Sequence, residues 1–328
     1  MSRPLNCHPR RRRILAGTAL IAVTGAAYGL TAAPLRLVIP HSAGTTPDLV
    51  ARLLASKLSA QLEQPVFVDN RAGASGLIGY EAVARSAPDG NTLMLTASSL
   101  STIGLLYPST RIDVLTDFTP ICLVCSTSFA LCVHPQLPAQ DFQQFLAHAR
   151  RRGEGLDYGS PGKGTLQHLW MAQLAAMSGA DLRHVPYKGA SQAINDLLAG
   201  VIKAMFVPLH AAVPLRKEGR IRILGVISAS RDPYLSEVPT LAESGLPGFT
   251  GDAWYGVLGP KDISASRVDE LHRALMSGLG DPDIRSGFAR QGLLPRQDSP
   301  QEMREIVRTE QAKWMRIAEA NHLQLKLD

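Results

Sequence analysis

The chain has 328 residues, 45% of them hydrophobic, with 34 Lys and Arg against 28 Asp and Glu and a formal net charge of +6. Five of those positive charges, Arg3 and Arg10 to Arg13, lie in residues 1–33, which hold no acidic residue, so the chain after Ala33 carries 29 basic and 28 acidic side chains. That near-neutral body shows none of the concentrated basic surface a nucleic-acid backbone requires, and its apolar content excludes a disordered chain.

At the start, Arg10 to Arg13 give way to an uncharged run from Ile14 to Pro34. A basic region, an apolar region and then small residues form the outline of a secretory signal peptide. Gly17, Thr18, Thr24, Gly25 and Gly29 dilute the run, which favours a cleaved signal over a retained membrane span. Residues 1–33 are assigned to it, ending at Thr31-Ala32-Ala33. The expected destination is the periplasm, by the Sec route or, given the arginines before Ile14 and Leu15, by the twin-arginine route. The 295 residues that follow suffice for two domains.

Leu35 to Ile39 reads as a strand, Pro47 to Leu62 as a helix through Leu49, Val50, Leu53, Leu54 and Leu58, Pro65 to Val68 as a strand, Ile78 to Arg85 as a helix and Thr92 to Thr96 as a strand. This alternation predicts an α/β fold with a mostly parallel sheet flanked by helices. The apolar run Phe118 to Val133 is long for one strand and reads as a link between domains. The grammar then repeats: helix Phe142 to Arg151, strand Asp157 to Gly159, helix Thr165 to Met177, strand Asp181 to Val185, helix Ser191 to Ala199, and strands Ala204 to Val207 and Leu224 to Ile227. Gly251 to Gly259 reads as a return strand. Helices capped by Ser264 and opened by Pro282 and Pro300 follow, padding the first domain. Domain 1 is therefore expected over 34–132 plus 251–328 and domain 2 over 133–250, with ligand-binding loops at strand ends in the cleft between them.

The loop Ser42-Ala43-Gly44-Thr45-Thr46-Pro47-Asp48 joins the first strand to the first helix. Small residues there let backbone N–H groups approach an anion, or Thr45 or Thr46 simply caps the helix. Asp69 to Gly76 is a second glycine-bearing loop. Its counterpart in the second half is Gly159-Ser160-Pro161-Gly162-Lys163-Gly164-Thr165, followed by His168, and Tyr187, Lys188 and Gly189 lie after a later strand. A hydrolase built on Ser160 and His168 would need a base within hydrogen-bond reach and an oxyanion site, and no nucleophile-elbow sequence is present. No catalytic set and no cofactor are therefore expected. No His spacing predicts a metal site. Among Cys122, Cys125 and Cys132, the apolar setting favours buried thiols, with a Cys122–Cys132 or Cys125–Cys132 bridge as the alternative.

These residues, taken together, resemble the Bordetella uptake gene (Bug) receptors, the substrate-binding proteins of tripartite tricarboxylate transporters. The resemblance is carried by Pro40 to Asp48 with Ala51-Arg52, Gln64-Pro65-Val66, Asp69-Asn70-Arg71, Gly73 to Gly79, Pro88-Asp89-Gly90 and Asp117-Phe118-Thr119-Pro120. It continues through Tyr158-Gly159-Ser160, His168-Leu169, His184 to Gly189, Asp196-Leu197, Val238-Pro239-Thr240 and Trp254. It implies a two-domain periplasmic binding protein of the venus-flytrap, type II-like kind, a monomer that closes on a small organic acid. Its output would go to a membrane permease; the alternative, should the resemblance mislead, is a ligand-sensing module that presents its liganded surface to a membrane sensor protein. Carried over, the ligand-binding residues are Ser42, Ala43, Gly44, Thr45, Thr46, Asp48, Ser160, Gly164, Thr165, His168 and Tyr187, with Asp48 able instead to fix loop geometry. The chain departs from the family pattern at His41, Thr45, Ser75, Ile103-Gly104 and Pro161.

Overall fold

The computed structural model describes residues 33–320 apart from 152, 154, 233 and 234. The expected signal peptide thus lies outside the described residues except for Ala33. Among the described residues no helix is long and apolar enough to cross a membrane.

The chain enters through β1 (Leu35–Ile39), α1 (Thr46–Leu62), β2 (Val66–Asn70), α2 (Leu77–Ala84) and β3 (Thr92–Ala97). β1 lies parallel between β2 and β3, with Val38 opposite Asp69 on one side and Met94 on the other. α1 covers one face because Val50, Leu54 and Leu58, spaced four apart, fall on one stripe and are buried. A 3-10 turn over Ser98–Thr102 and the short α3 (Ile103–Leu106) lead into β4 (Phe118–Thr127).

After Ser128 the chain leaves this sheet. It continues as β5 (Phe129–Val133), α4 (Phe142–Ala149), β6 (Leu156–Ser160), α5 (Leu166–Ser178), β7 (Leu182–Pro186), α6 (Ala190–Leu198), β8 (Ala204–Pro208), α7 (Leu209–Lys217) and β9 (Arg222–Val226). It returns as β10 (Ala253–Pro260), α8 (Ala265–Gly280), α9 (Pro282–Arg290), the two-residue β11 (Leu294–Pro295) and α10 (Pro300–Ala320). The two sheets run β11-β4-β10-β3-β1-β2 and β7-β6-β8-β5-β9.

Two expectations are corrected. The sheets are mixed rather than mostly parallel: β10 runs antiparallel to β3 and β4, and β5 antiparallel to β8 and β9, because the strands that carry the chain between lobes enter from the opposite end. The run Phe118 to Val133 is two strands in different sheets, so Phe129–Cys132, expected in the first domain, pair within the second sheet. α7 has no counterpart in the sequence reading, and Pro214 inside it is the reason, since proline removes a helical donor.

The main core runs through both lobes. Phe129 packs edge-on against Trp170 with ring centroids 5.0 Å apart, and Trp170 in turn meets Phe206. A second cluster fills the other face of the second sheet beneath α6 and α7, and a third lies between the first sheet, α2 and α10. Both sheets are thereby covered on both faces, as a doubly wound fold requires.

Cys122 and Cys125 on β4 and Cys132 on β5 are free, buried thiols, the first of the two sequence readings. Burial pushes all three thiols up, so little thiolate forms at neutral pH. A thiol reagent such as Ellman's is expected to leave these three unmodified in the native protein and to titrate all three in guanidinium, with or without prior reduction. Oxidised Cys in the denatured, unreduced sample would overturn the assignment.

Candidate functional site

The strand-end loops that open α1 and α5 are built alike, 120 residues apart. In each, a glycine takes a left-handed conformation, Gly44 at φ 79° and Gly164 at φ 77°, which a side chain would oppose. The next residue, Thr45 or Thr165, is the extended N-cap. Its hydroxyl does not cap the helix; it turns back to a loop carbonyl, Thr45 Oγ1 donating to Ser42 O at 2.7 Å and Thr165 Oγ1 to Gly162 O at 2.8 Å. The side chain four residues after each glycine then accepts that glycine's N–H. Asp48 Oδ2 takes Gly44 N at 2.8 Å, and His168 Nδ1 takes Gly164 N at 3.1 Å. The signal was present in the sequence as Gly44-Thr45-Thr46-Pro47-Asp48 and Gly164-Thr165-Leu166-Gln167-His168.

This arrangement has a direct consequence for binding. A helix begins with backbone N–H groups that have no partner inside it, and they carry a partial positive charge. With both threonine hydroxyls turned away, the N-termini of α1 and α5 remain uncapped by side chains. Each lobe therefore presents a site suited to an anion.

Asp48 and His168 are lock residues rather than open donors. Asp48 is 2% exposed and also accepts from Arg52 Nε, while Arg52 Nη2 reaches Asn70 Oδ1 at 3.2 Å. Burial alone would raise the Asp48 carboxyl, but hydrogen bonds from Arg52, Gly44 N–H and Asn70, with the Arg52 charge, hold it below its ordinary value. Its carboxylate is fully committed to the loop. His168 stacks on His184 with centroids 4.1 Å apart, and His184 stacks on Tyr158 at 5.0 Å. Burial, and then the charge of Lys163, push His168 down to about 4. Burial, then His168 and Lys163, bring His184 to about 4 as well. Both rings are neutral at pH 7, and His168, accepting at Nδ1, carries its proton on Nε2.

Ser160 is fully buried. Its Oγ donates to Gly162 O at 2.8 Å, accepts from Gly162 N at 3.2 Å and lies 2.7 Å from His184 Nε2. The serine's histidine is thus His184, which the sequence reading left outside the site, and not His168. This pair does not form a nucleophile relay. The serine is closed to solvent and its proton has the Gly162 carbonyl as acceptor, while no carboxylate hydrogen-bonds to His184 among the described residues.

Ser42, Ala43 and Gly44 are exposed, and Thr46 is half-buried with its hydroxyl on that of Tyr255, a contact invisible in the sequence because β10 lies over 200 residues away. Tyr187 follows Ser160 across the β6–β7 register, its N–H on Ser160 O and its hydroxyl donating to Asp196 at 2.7 Å. Lys163 is exposed. Opposite it, the 73–76 loop of the first lobe reaches the second, Ser75 Oγ donating to Lys163 O at 3.1 Å. No hydrogen bond among the described residues joins the 42–48 loop directly to the 160–168 loop. His41, beside the first loop, places Nε2 3.4 Å from Thr96 Oγ1, and burial lowers it to about 4.

Two α/β lobes joined by crossing strands, each offering an uncapped helix N-terminus from a matched loop, define a two-domain solute-binding protein of the periplasmic class. The chain belongs to the tripartite tricarboxylate transporter family receptors, whose family model matches residues 50–323. Protein BugT of Bordetella pertussis is 33% identical over 315 residues, 95% of this chain and 97% of that one. Among solved structures, R. palustris Rpa4515 with adipate superposes with a TM-score of 0.81 at 33% identity, covering 90% of this chain and 98% of its own. The periplasmic binding protein BugD gives 0.80 at 29% identity, covering 90% and 99%.

Two measurements check the loop analysis. Asp48→Ala strands the Gly44 N–H and frees Arg52, and should cost about 1–3 kcal/mol in equilibrium unfolding. The histidines fix the sign of a pH effect. Between about 6.5 and 4 the unfolded chain takes up protons that folded His168 and His184 refuse, so stability is full above this window and falls as pH drops through it. The urea midpoint should therefore fall from pH 7 to pH 4.5, and by less in His168→Gln.

Proposed function

We propose that this chain is an extracytoplasmic receptor that captures a small organic carboxylate between its lobes and delivers it to a membrane permease of the tripartite tricarboxylate type. The observation that carries this reading is the pair of uncapped helix N-termini, one per lobe, on loops of the same construction. A carboxylate has two acceptor oxygens and no donor, so it suits N–H and hydroxyl groups, and the neutral imidazoles nearby impose no repulsion. Adipate in the Rpa4515 structure supports the same ligand class.

In this reading the ligand is held by the exposed Ser42–Ala43 segment and Thr46 on one side and by the Lys163–Leu166 segment on the other. Asp48, Gly44, Ser160, Gly164, Thr165 and His168 act by fixing those loops. Tyr187 braces the second. The bodies 34–128 with 251–320 and 129–250 move about Ser128 and the 250–252 link, and contacts made only when closed shift the open–closed equilibrium. The protein acts as a monomer in the periplasm after loss of residues 1–33.

Calorimetry of the purified protein against mono-, di- and tricarboxylates tests the proposal. At least one acid should bind without being converted. Ser42→Ala or Thr46→Ala should weaken it by about 1.5–3 kcal/mol, roughly 10- to 150-fold. Lys57→Ala, which removes a side chain paired with Asp281 on the far end of α1, should leave affinity unchanged. Turnover of the ligand, or binding confined to uncharged sugars, would overturn the reading.

A further inference from the structure

We infer that Ser75 is a latch that holds the two lobes closed in the absence of ligand. Its hydroxyl donates to the Lys163 carbonyl at 3.1 Å, tying the loop between β2 and α2 in the first lobe to the loop between β6 and α5 in the second. The acceptor lies between Gly162 and Gly164, whose conformations are fixed by Ser160 and His168, so the latch engages a rigid partner.

The backbone at the latch is unusual for its residue types. Ala74 and Ser75 are consecutive non-glycine residues at positive φ, 46° and 53°, in a region where a Cβ crowds the backbone. Gly73 and Gly76 flank them at φ 133° and 100°, and Gly76 N closes the turn on Gly73 O at 2.9 Å. Glycine at 75 would adopt this backbone without strain but would carry no hydroxyl. Strained residues persist where the surroundings over-determine them, and here the compensating feature is the hydrogen bond from Ser75 to Lys163 O across the cleft mouth. Because the contact uses only protein atoms, it biases the equilibrium toward closure before ligand arrives. A ligand then meets a protein that needs less reorganisation to close, and it leaves more slowly.

The proposal rests on the two-lobed closure of the receptor reading but not on the carboxylate, and its test uses no ligand. Fluorophores on cysteines introduced at the exposed Ser56 of α1 and Ser191 of α6 of the protein lacking residues 1–33 report the lobe separation by single-molecule energy transfer. Ser75→Ala removes the hydroxyl and keeps the strain, whereas Ser75→Gly removes both. Each should lower the closed-to-open ratio about fivefold, the worth of one net hydrogen bond. Ser75→Gly should also melt higher than Ser75→Ala. Ser75→Asn, which tolerates the left-handed region and offers an amide donor, should restore the closed population. An unchanged distribution in both Ser75→Ala and Ser75→Gly would overturn the latch. So would a loss confined to Ser75→Ala, which would assign the effect to backbone strain alone.

Discussion

The site depends on one small interaction made twice, a left-handed glycine N–H held by the side chain four residues later. Where the acceptor is Asp48, a carboxylate that would repel an acidic ligand is consumed by the loop and by Arg52. In the second lobe the acceptor is His168, and the ring is kept neutral by burial against His184. The chemistry of the two locks differs, yet both fix the glycine, let the threonine hydroxyl fold back, and leave the helix start without a side-chain cap. A loop that satisfied its own helix would have nothing left to offer an anion.

The second lobe carries a buried polar network of its own, as the first does at Tyr80, Thr96 and His41. Tyr158, His184 and His168 form a three-ring stack, and Ser160 joins that stack to the Gly162 turn. A serine within 2.7 Å of a histidine invites a catalytic reading. Burial decides against it, because a nucleophile must be reachable and its base must be free to take the proton. The same groups serve better as scaffolding, since a satisfied polar network in a low-dielectric setting holds one geometry.

The two lobes share a continuous apolar core. The crossing is made where β4 passes to β5 at Ser128 and where the chain returns at 250–252, close to the Phe129–Trp170–Phe206 ring contacts. Lys313 Nζ on α10 donates to Thr250 O at 2.7 Å, anchoring the return link to the first lobe's last helix. Trp254, just beyond, donates toward Glu310 of the same helix at 3.3 Å. The return link is thereby held to the first lobe through α10.

Much of this was written in the sequence because it is local. The strand–loop–helix alternation followed from hydrophobic period, the cap at Ser264 and the helix starts at Pro282 and Pro300 from residue type, and the family from residues spread along most of the chain. The loop pair Gly44-Thr45 and Gly164-Thr165 was visible too, since each lies within one turn of its own lock. Tertiary structure alone decided the rest. It split Phe118–Val133 between two sheets, because an apolar run gives no sign of which neighbour it will pair with. It gave Ser160 its partner in His184, which parallel pairing of β6 and β7 brings alongside, and it set Tyr255 on Thr46 through β10. It also carried Ser75 to Lys163, 88 residues on, since a contact between lobes depends on how the lobes sit and no spacing along the chain records that.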